Sequence, residues 1–339
     1  MIGTGFGAAV HIPGLRHVPN VEISAVCAAH MEHARSCMSR YHIPAGYDDY
    51  RQMFAEAKLD AITIATPPSF HHPIAIAAVE AGLHILCEKP MARSAAEARD
   101  MWRLVKDAGL QHAVDYEARF LPSRVATKRL VAQGYLGEFQ TVSLTVYRKP
   151  WQERPHGERQ LDAGERVAGA LGALGTEYID TLRWWFGDVH AVAGGTPQTE
   201  LGSANFGGLL RFANGGLGTI HISSTSHIEL GAEFVMTGTD AMLALQADGR
   251  LFGMERDDDA FVELEIPDEE LWEDIPRFSD PRLRPFVQLA REWVRGIRFG
   301  ASIVPSFEDG MKVQEVVDSI ERSQALSRWI DTSGKKWPV

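Results

Sequence analysis

The spacing of apolar and polar positions changes character along this chain. In the first third, short apolar runs rich in β-branched residues recur at residues 21–27 (VEISAVC), 60–66 (DAITIAT), 83–90 (LHILCEKP) and 112–116 (HAVDY). Each is bounded by Pro, Asp or Gly, the pattern of a buried strand. Between them lie stretches of helical period: 72–82 (HPIAIAAVEAG) stops at a glycine, and 94–109 has Ser94 at the N-cap, Glu97 three residues on and Gly109 at the stop. Strands alternating with helices predict βαβ units and a parallel sheet.

Beyond about residue 120 the grammar differs. A helix at 123–134 leads to a strand at 141–147 (TVSLTVY), a polar loop, and a helix at 170–186. Close-spaced strands follow: GGLLRF, GGLGTIHISS, AEFVMTG, MLALQ, RLFGM and FVELEI. Strands without intervening helices predict a largely antiparallel sheet. The acidic stretch 255–274 reads as a solvated connector, and helices at 281–298 and 307–328 close the chain, the last with a Ser306/Asp309 capping box. The expected fold is therefore α/β: a Rossmann dinucleotide-binding domain at 1–120 and a substrate-binding and oligomerisation domain with an open, largely antiparallel sheet at 121–339.

Composition narrows the function. At 339 residues, 45% hydrophobic, 23% charged and net charge −11, the chain suits two soluble domains. The acidic balance argues against nucleic-acid or anionic-membrane partners, which need a basic face. Cys27, Cys37 and Cys87 lack metal or redox spacing and read as small buried hydrophobes of a reducing compartment. No apolar run is long enough to span a bilayer and no signal segment is visible, so a cytoplasmic location is expected.

The chemistry begins at the first residues. Gly3-Thr4-Gly5-Phe6-Gly7-Ala8 fits G-x-G-x-x-A. There the first glycine makes a tight turn, the second admits a pyrophosphate to the backbone, and a small third residue lets helix and strand pack. Only Met1 and Ile2 precede it, the last step of an ordinary strand of about five residues. The expectation is that the natural chain starts upstream. An acid for the ribose 2′-hydroxyl belongs about 20 residues on, but Cys27-Ala28-Ala29-His30 offers none. A 2′-phosphate would meet no repulsion at Ala28, and His30, Arg35 or Arg40 could reach it, so the cofactor reads as NADP, with NAD as the alternative. His30 and His33 lack further ligands, and no metal is expected.

The segment TPPSFHHPIAIAAVEAGLHILCEKP resembles the Gfo/Idh/MocA oxidoreductases, with their T-P-x-x-x-H, an alanine-rich helix ending in A-G, and E-K-P. The likeness continues through RFLP, GYLGEF, IDTLRWWFG and PSFEDGMKVQEVVDSIERS, over essentially the whole chain. It implies hydride transfer with NAD(P) to or from a hydroxyl or keto carbon of a sugar, polyol or similar small molecule, and a homodimer or homotetramer formed through the open sheet. It assigns Lys89 the proton-handling role at the substrate hydroxyl, with Glu88 as an orienting partner and Thr66, Pro67 and His71 lining the cofactor, His71 reading equally as a histidine that caps backbone at a helix start. Arg119 and Trp151, with Lys89 and Glu177, are the candidate substrate residues. The family's D-x-G-x-H-x-x-D run is Ala173-Leu174-Gly175-Thr176-Glu177-Tyr178-Ile179-Asp180 here, so its Asp and His become Ala173 and Glu177. Glu177 is a substitute base or an ion-pair partner. That departure keeps open two other readings: a cofactor-binding regulator without turnover, and a lyase or glycosidase that oxidises its substrate transiently.

Overall fold

Parallel strands need helical crossovers, and residues 1–120 supply them. A computed structural model describes residues 1–150, 169–197, 204–266 and 272–332. The first unit, Met1–Phe120 with Trp272–Gln314, contains β1 (Ala25–Cys27), β2 (Ala45–Tyr47), β3 (Ala61–Ile64), β4 (His84–Cys87) and β5 (His112–Val114). β1 pairs with β2, and β3 with β4 and β4 with β5, all parallel. Ile2 joins the two sets through parallel bridges to Cys27 and Ile64. Counting Ile2 as the first strand, the order is 3-2-1-4-5-6, that of a dinucleotide-binding sheet.

The turn after Ile2 enters a π-helical segment, Gly7–His11, continued by α1 (Ile12–Leu15). α2 (Met31–Tyr41), α3 (Tyr50–Glu56), α4 (His71–Glu80) and α5 (Ala95–Asp107) make the crossovers. α5 starts as its sequence requires, with the Ser94 hydroxyl accepting the Glu97 N–H. Where a single cut after residue 120 was expected, this unit also takes back Trp272–Gln314. The reason is apolar burial: the helix Leu283–Phe299 packs Phe286, Val287, Ala290 and Trp293 against Val10, Leu15 and Leu86 in one core cluster.

The second unit, Leu121–Leu271 with Glu315–Val339, is built on β6 (Phe139–Tyr147), β7 (Val189–Gly195), β8 (Asn205–Phe212), β9 (Leu217–Ser223), β10 (Gly231–Gly238), β11 (Ala241–Leu245), β12 (Leu251–Glu255), β13 (Val262–Leu264) and β14 (Ile330–Asp331). These form one sheet, order β13-β12-β11-β10-β6-β9-β8-β7-β14, antiparallel except for the parallel pair β6–β9. α6 (Pro122–Ala132) and α7 (Thr176–Phe186) belong to this unit, α7 preceded by a π-helical segment, Leu171–Gly175. Trp185 and Tyr178 of α7 meet Phe234 of β10, and Phe186 stacks on Phe139 of β6 at 3.9 Å. The opposite face is open. Register aligns Val235, Ser143, Thr219 and Leu209 across β10, β6, β9 and β8, and Val235 and Leu209 are exposed. α8 (Leu283–Phe299) and α9 (Phe307–Leu326) close the chain, and Asp309 and Ser306 exchange the expected capping-box bonds at the start of α9.

Candidate active site

The residues after Ile2, β1, β3, β4 and β5 are Gly3, Ala28, Ala65, Glu88 and Asp115, so the carboxyl edge of the parallel sheet gathers the candidate chemistry of the first unit. Gly3 has φ +101°, and a Cβ there would lie 2.2 Å from the Ala65 carbonyl oxygen. Only glycine turns here. The close packing expected at the third motif residue, Ala8, falls instead at Gly7, where a Cβ would meet Met1 Sδ at 2.9 Å and Ala65 Cβ at 3.2 Å. The segment that begins at Gly7 has Phe6 at its N-cap with no side-chain cap. Its first amides therefore suit an anion. Gly5 is exposed and Phe6 half-buried at the same turn.

Thr66 and Pro67 follow β3 beside Gly3. The Thr66 Oγ1 is buried without a hydrogen-bond partner among the described residues, as a hydroxyl awaiting a ligand would be. His71 is fully buried at the start of α4, with Nε2 2.8 Å from the Thr66 carbonyl and Nδ1 3.1 Å from that of Pro90. Burial holds its pKa below the usual histidine value. His71 thus ties the loop after β3 to the loop after β4. Ala28 is buried beyond β1, its N–H bonded to the Tyr47 carbonyl, and His30 stands exposed at the N-cap of α2.

Lys89 is half-buried, and its peptide bond to Pro90 is cis. Its backbone N–H donates to Glu88 Oε2 at 3.2 Å. Glu88 Oε1 lies 2.8 Å from His11 Nε2, and Asp115 Oδ2 lies 3.3 Å from the same nitrogen. Register explains the grouping. Cys87 of β4 pairs with Val114 of β5, and the Asp115 N–H bonds the Cys87 carbonyl, so the two following carboxylates emerge side by side. Burial alone would depress the His11 imidazole, but Asp115 and Glu88 outweigh it and raise it to about 9. Asp115 is pushed up to about 7 by its own burial and then by the negative charge of Glu88, against the pull of His11. Sequence reading missed His11 and Asp115. The available signal was an ionisable residue within an apolar helix start (AAVHIPGL) and another ending an apolar strand (HAVDY).

Arg119, expected to face substrate, is buried, and its guanidinium pairs with Asp309 at 3.1 Å within the first unit. A buried guanidinium needs such a partner, and α9 brings it there. In the second unit Glu177 opens the first turn of α7 and lies 3.4 Å from Arg124 of α6. The same guanidinium donates to Thr181 Oγ1 at 2.7 Å and lies over the Tyr178 ring. Arg148, just past β6, is also held strongly cationic: Tyr178, Glu229 and Glu177 outweigh its burial. Ala173 falls in the π-helical segment before α7, and Asp180 is fully buried. Trp151 lies outside the described residues.

Comparison with known proteins agrees with this geometry. Residues 1–116 match the model described as "Oxidoreductase family, NAD-binding Rossmann fold", and residues 128–332 match "Oxidoreductase family, C-terminal alpha/beta domain". The chain is 27% identical to levoglucosan dehydrogenase of Pseudarthrobacter phenanthrenivorans, over 90% of this chain and 88% of that protein. It is 26% identical to D-apiose dehydrogenase of Paraburkholderia graminis, over 98% of this chain and 88% of that one. The solved complex of levoglucosan dehydrogenase with NADH and levoglucosan superposes with a TM-score of 0.88 at 26% identity, covering 98% of both chains. Both family models together account for nearly all of the sequence, and the chain belongs to the Gfo/Idh/MocA oxidoreductase family.

Proposed function

We propose that this protein is a nicotinamide-dependent oxidoreductase that moves hydride to or from a hydroxyl or keto carbon of a sugar or related polyol. The observation that carries the reading is Lys89, anchored through its N–H by Glu88 at the sheet edge that also holds the glycine turn and the orphaned Thr66 hydroxyl. The glycine turn and Thr66 would hold the dinucleotide, which supplies a hydride acceptor or donor when bound. Lys89 would take the hydroxyl proton at Nζ or steady the developing alkoxide, a role whose typical worth is ~10²–10⁴-fold in rate. In the second unit the partly exposed Glu177 carboxylate, held by the buried Arg124, would accept hydrogen bonds from sugar hydroxyls.

The sugar dehydrogenases among the relatives direct the assay. Cofactor reduction is followed with levoglucosan, apiose and a panel of polyols, for the parent and for Lys89→Met. Turnover on at least one sugar, lost in Lys89→Met, is the expected result. Tight cofactor binding with no turnover on any would favour the regulator reading, which the replacement of the family's Asp and His by Ala173 and Glu177 keeps in play.

NADP is proposed over NAD because Ala28 leaves the expected acid position empty of charge. Asp48 and Asp49 act electrostatically on the neighbouring Cys27 and work against a 2′-phosphate. Dissociation constants for NADH and NADPH decide the matter, and tighter NADH ends the NADP reading. The second unit is proposed to bind substrate and to form a homo-oligomer through the open sheet face, where Leu209, Leu217 and Val235 are exposed. Light scattering that gives a monomer would remove that part. Among the described residues no helix is long and apolar enough to cross a membrane. The three cysteines are free and buried, in keeping with the proposed cytoplasmic location.

A further inference from the structure

The cluster of His11, Glu88 and Asp115 is closed off: His11 and Asp115 are fully buried, and Glu88 nearly so. Phe286 of α8 stacks on the imidazole at 4.6 Å and 26°, and Phe6 meets it edge-on at 5.9 Å. Room for this cover is made locally, since a Cβ on Gly14 would lie 2.4 Å from the Phe286 ring. A charged group is costly to bury unless it has a partner and a task that keeps it there. The connectivity suggests the task. One carboxylate oxygen of Glu88 is held by His11 while the other accepts the Lys89 N–H. Asp115, side by side with Glu88, has Oδ2 3.3 Å from the same imidazole nitrogen.

We propose that His11 and Asp115 are positioning residues that act through Glu88 to fix the Lys89 backbone at the sheet edge. The proposal rests on the reading of Lys89 as the proton handler. His11 as an imidazolium locks the Glu88 carboxylate in one rotamer, and that carboxylate in turn restrains the Lys89 amide. Asp115, pushed up to about 7, adds a second carboxyl beside the imidazole that is ionised above neutral pH. Among the described residues, the ionisable groups facing the cluster are these three and the Cys87 thiol of β4, itself pushed well up by burial and then by Glu88 and Asp115. α8 contributes the apolar Phe286 ring. With no solvent-facing side and a 2.8 Å nitrogen–oxygen contact, the geometry is that of a shared proton rather than of a metal ion with open positions.

The test uses the full chain and three variants: His11→Gln, Asp115→Asn and Glu88→Asp. In ¹⁵N-histidine-labelled protein, the His11 ring nitrogens should carry imidazolium shifts at neutral pH, assigned by their disappearance in His11→Gln. Shifts of a neutral tautomer, or a stoichiometric divalent metal in the purified protein, would overturn the proposal. Reductive methylation mapped by mass spectrometry then reads Lys89 against exposed Lys58. In His11→Gln the Lys89 rate should rise about threefold or more relative to Lys58. On any sugar that is turned over, kcat should fall about tenfold or more while the cofactor KM moves much less. Asp115→Asn should lower the pH at which His11 loses its proton. Glu88→Asp, which keeps the charge but shortens the reach, should reproduce the Lys89 change if His11→Gln fails to fold. Parent-like Lys89 reactivity and kcat in the folded variants sink the brace. A Lys89→Met enzyme as active as the parent sinks the assignment of Lys89 instead, and the His11 shifts keep the two failures apart.

Discussion

The two units handle charge in opposite ways. In the first, His11, Glu88 and Asp115 are sealed behind Phe286 at the edge of a parallel sheet. In the second, the Arg124 side chain is 7% exposed but its partner Glu177 is 19% exposed, at the first turn of α7. Buried charge in the first unit is fixed by backbone register, because two adjacent parallel strands end in Glu88 and Asp115. In the second unit the Arg124–Glu177 pair joins two helices, so its partly exposed carboxylate can be exchanged without disturbing strand pairing. The lesson is that charge fixed by strand register is hard to alter one residue at a time, whereas a partly exposed helix carboxylate such as Glu177 can be replaced at smaller cost.

Breaking the first side of that comparison should give the largest effect. Lys89→Met is expected to lower kcat/KM by ~10²–10⁴-fold with an unaltered far-ultraviolet spectrum, read by cofactor absorbance on a sugar that is turned over. Gly3→Ala should cost about 3 kcal/mol or more in urea unfolding, because positive φ and a 2.2 Å contact with the Ala65 carbonyl act together. It should abolish cofactor binding as well, which calorimetry would report.

The second unit sharpens the contrast through an asymmetry. Arg124→Met removes one ionic partner of Glu177, the bond to Thr181 and the contact with the Tyr178 ring, and should cost about 2–4 kcal/mol. Glu177→Gln should cost under about 1 kcal/mol, since water reaches the amide that replaces a partly exposed carboxylate. Equal losses by chemical denaturation would contradict the burial argument.

A further contrast is one of pH. The His11 pKa is raised from 6.5 to about 9, so its stabilisation is complete below about pH 6.5 and is lost as pH rises through about 9. The stability gap between parent and His11→Gln should therefore shrink across that window. His112 works on the acid side. Burial lowers its pKa to about 4, so the folded state prefers the neutral ring and loses stability as pH falls from about 6.5 towards 4. Melting temperatures across the pH range test both signs, and a gap that widens towards pH 9 would reverse the first.

Much of this was legible in the sequence. The strands at 60–66, 83–90 and 112–116, the Ser94 and Ser306 caps and the glycine turn follow from local periodicity and capping chemistry, which act over a few residues. The motif around Lys89 was legible for the same reason, being contiguous. By contrast, His11 is 77 residues from Glu88, Arg119 is 190 from Asp309, and Arg124 is 53 from Glu177. Strand register, the return of Trp272–Gln314 to the first unit and the packing of α6 beside α7 made those pairs. Periodicity reports which face of an element is apolar but not which distant element covers it. The sequence by itself determined the alternating βα order, the glycine turn and the Glu88-Lys89-Pro90 run at the end of a strand. Tertiary structure alone decided which charges share a site, because pairing energy depends on distance and burial, and neither exists until the chain has folded.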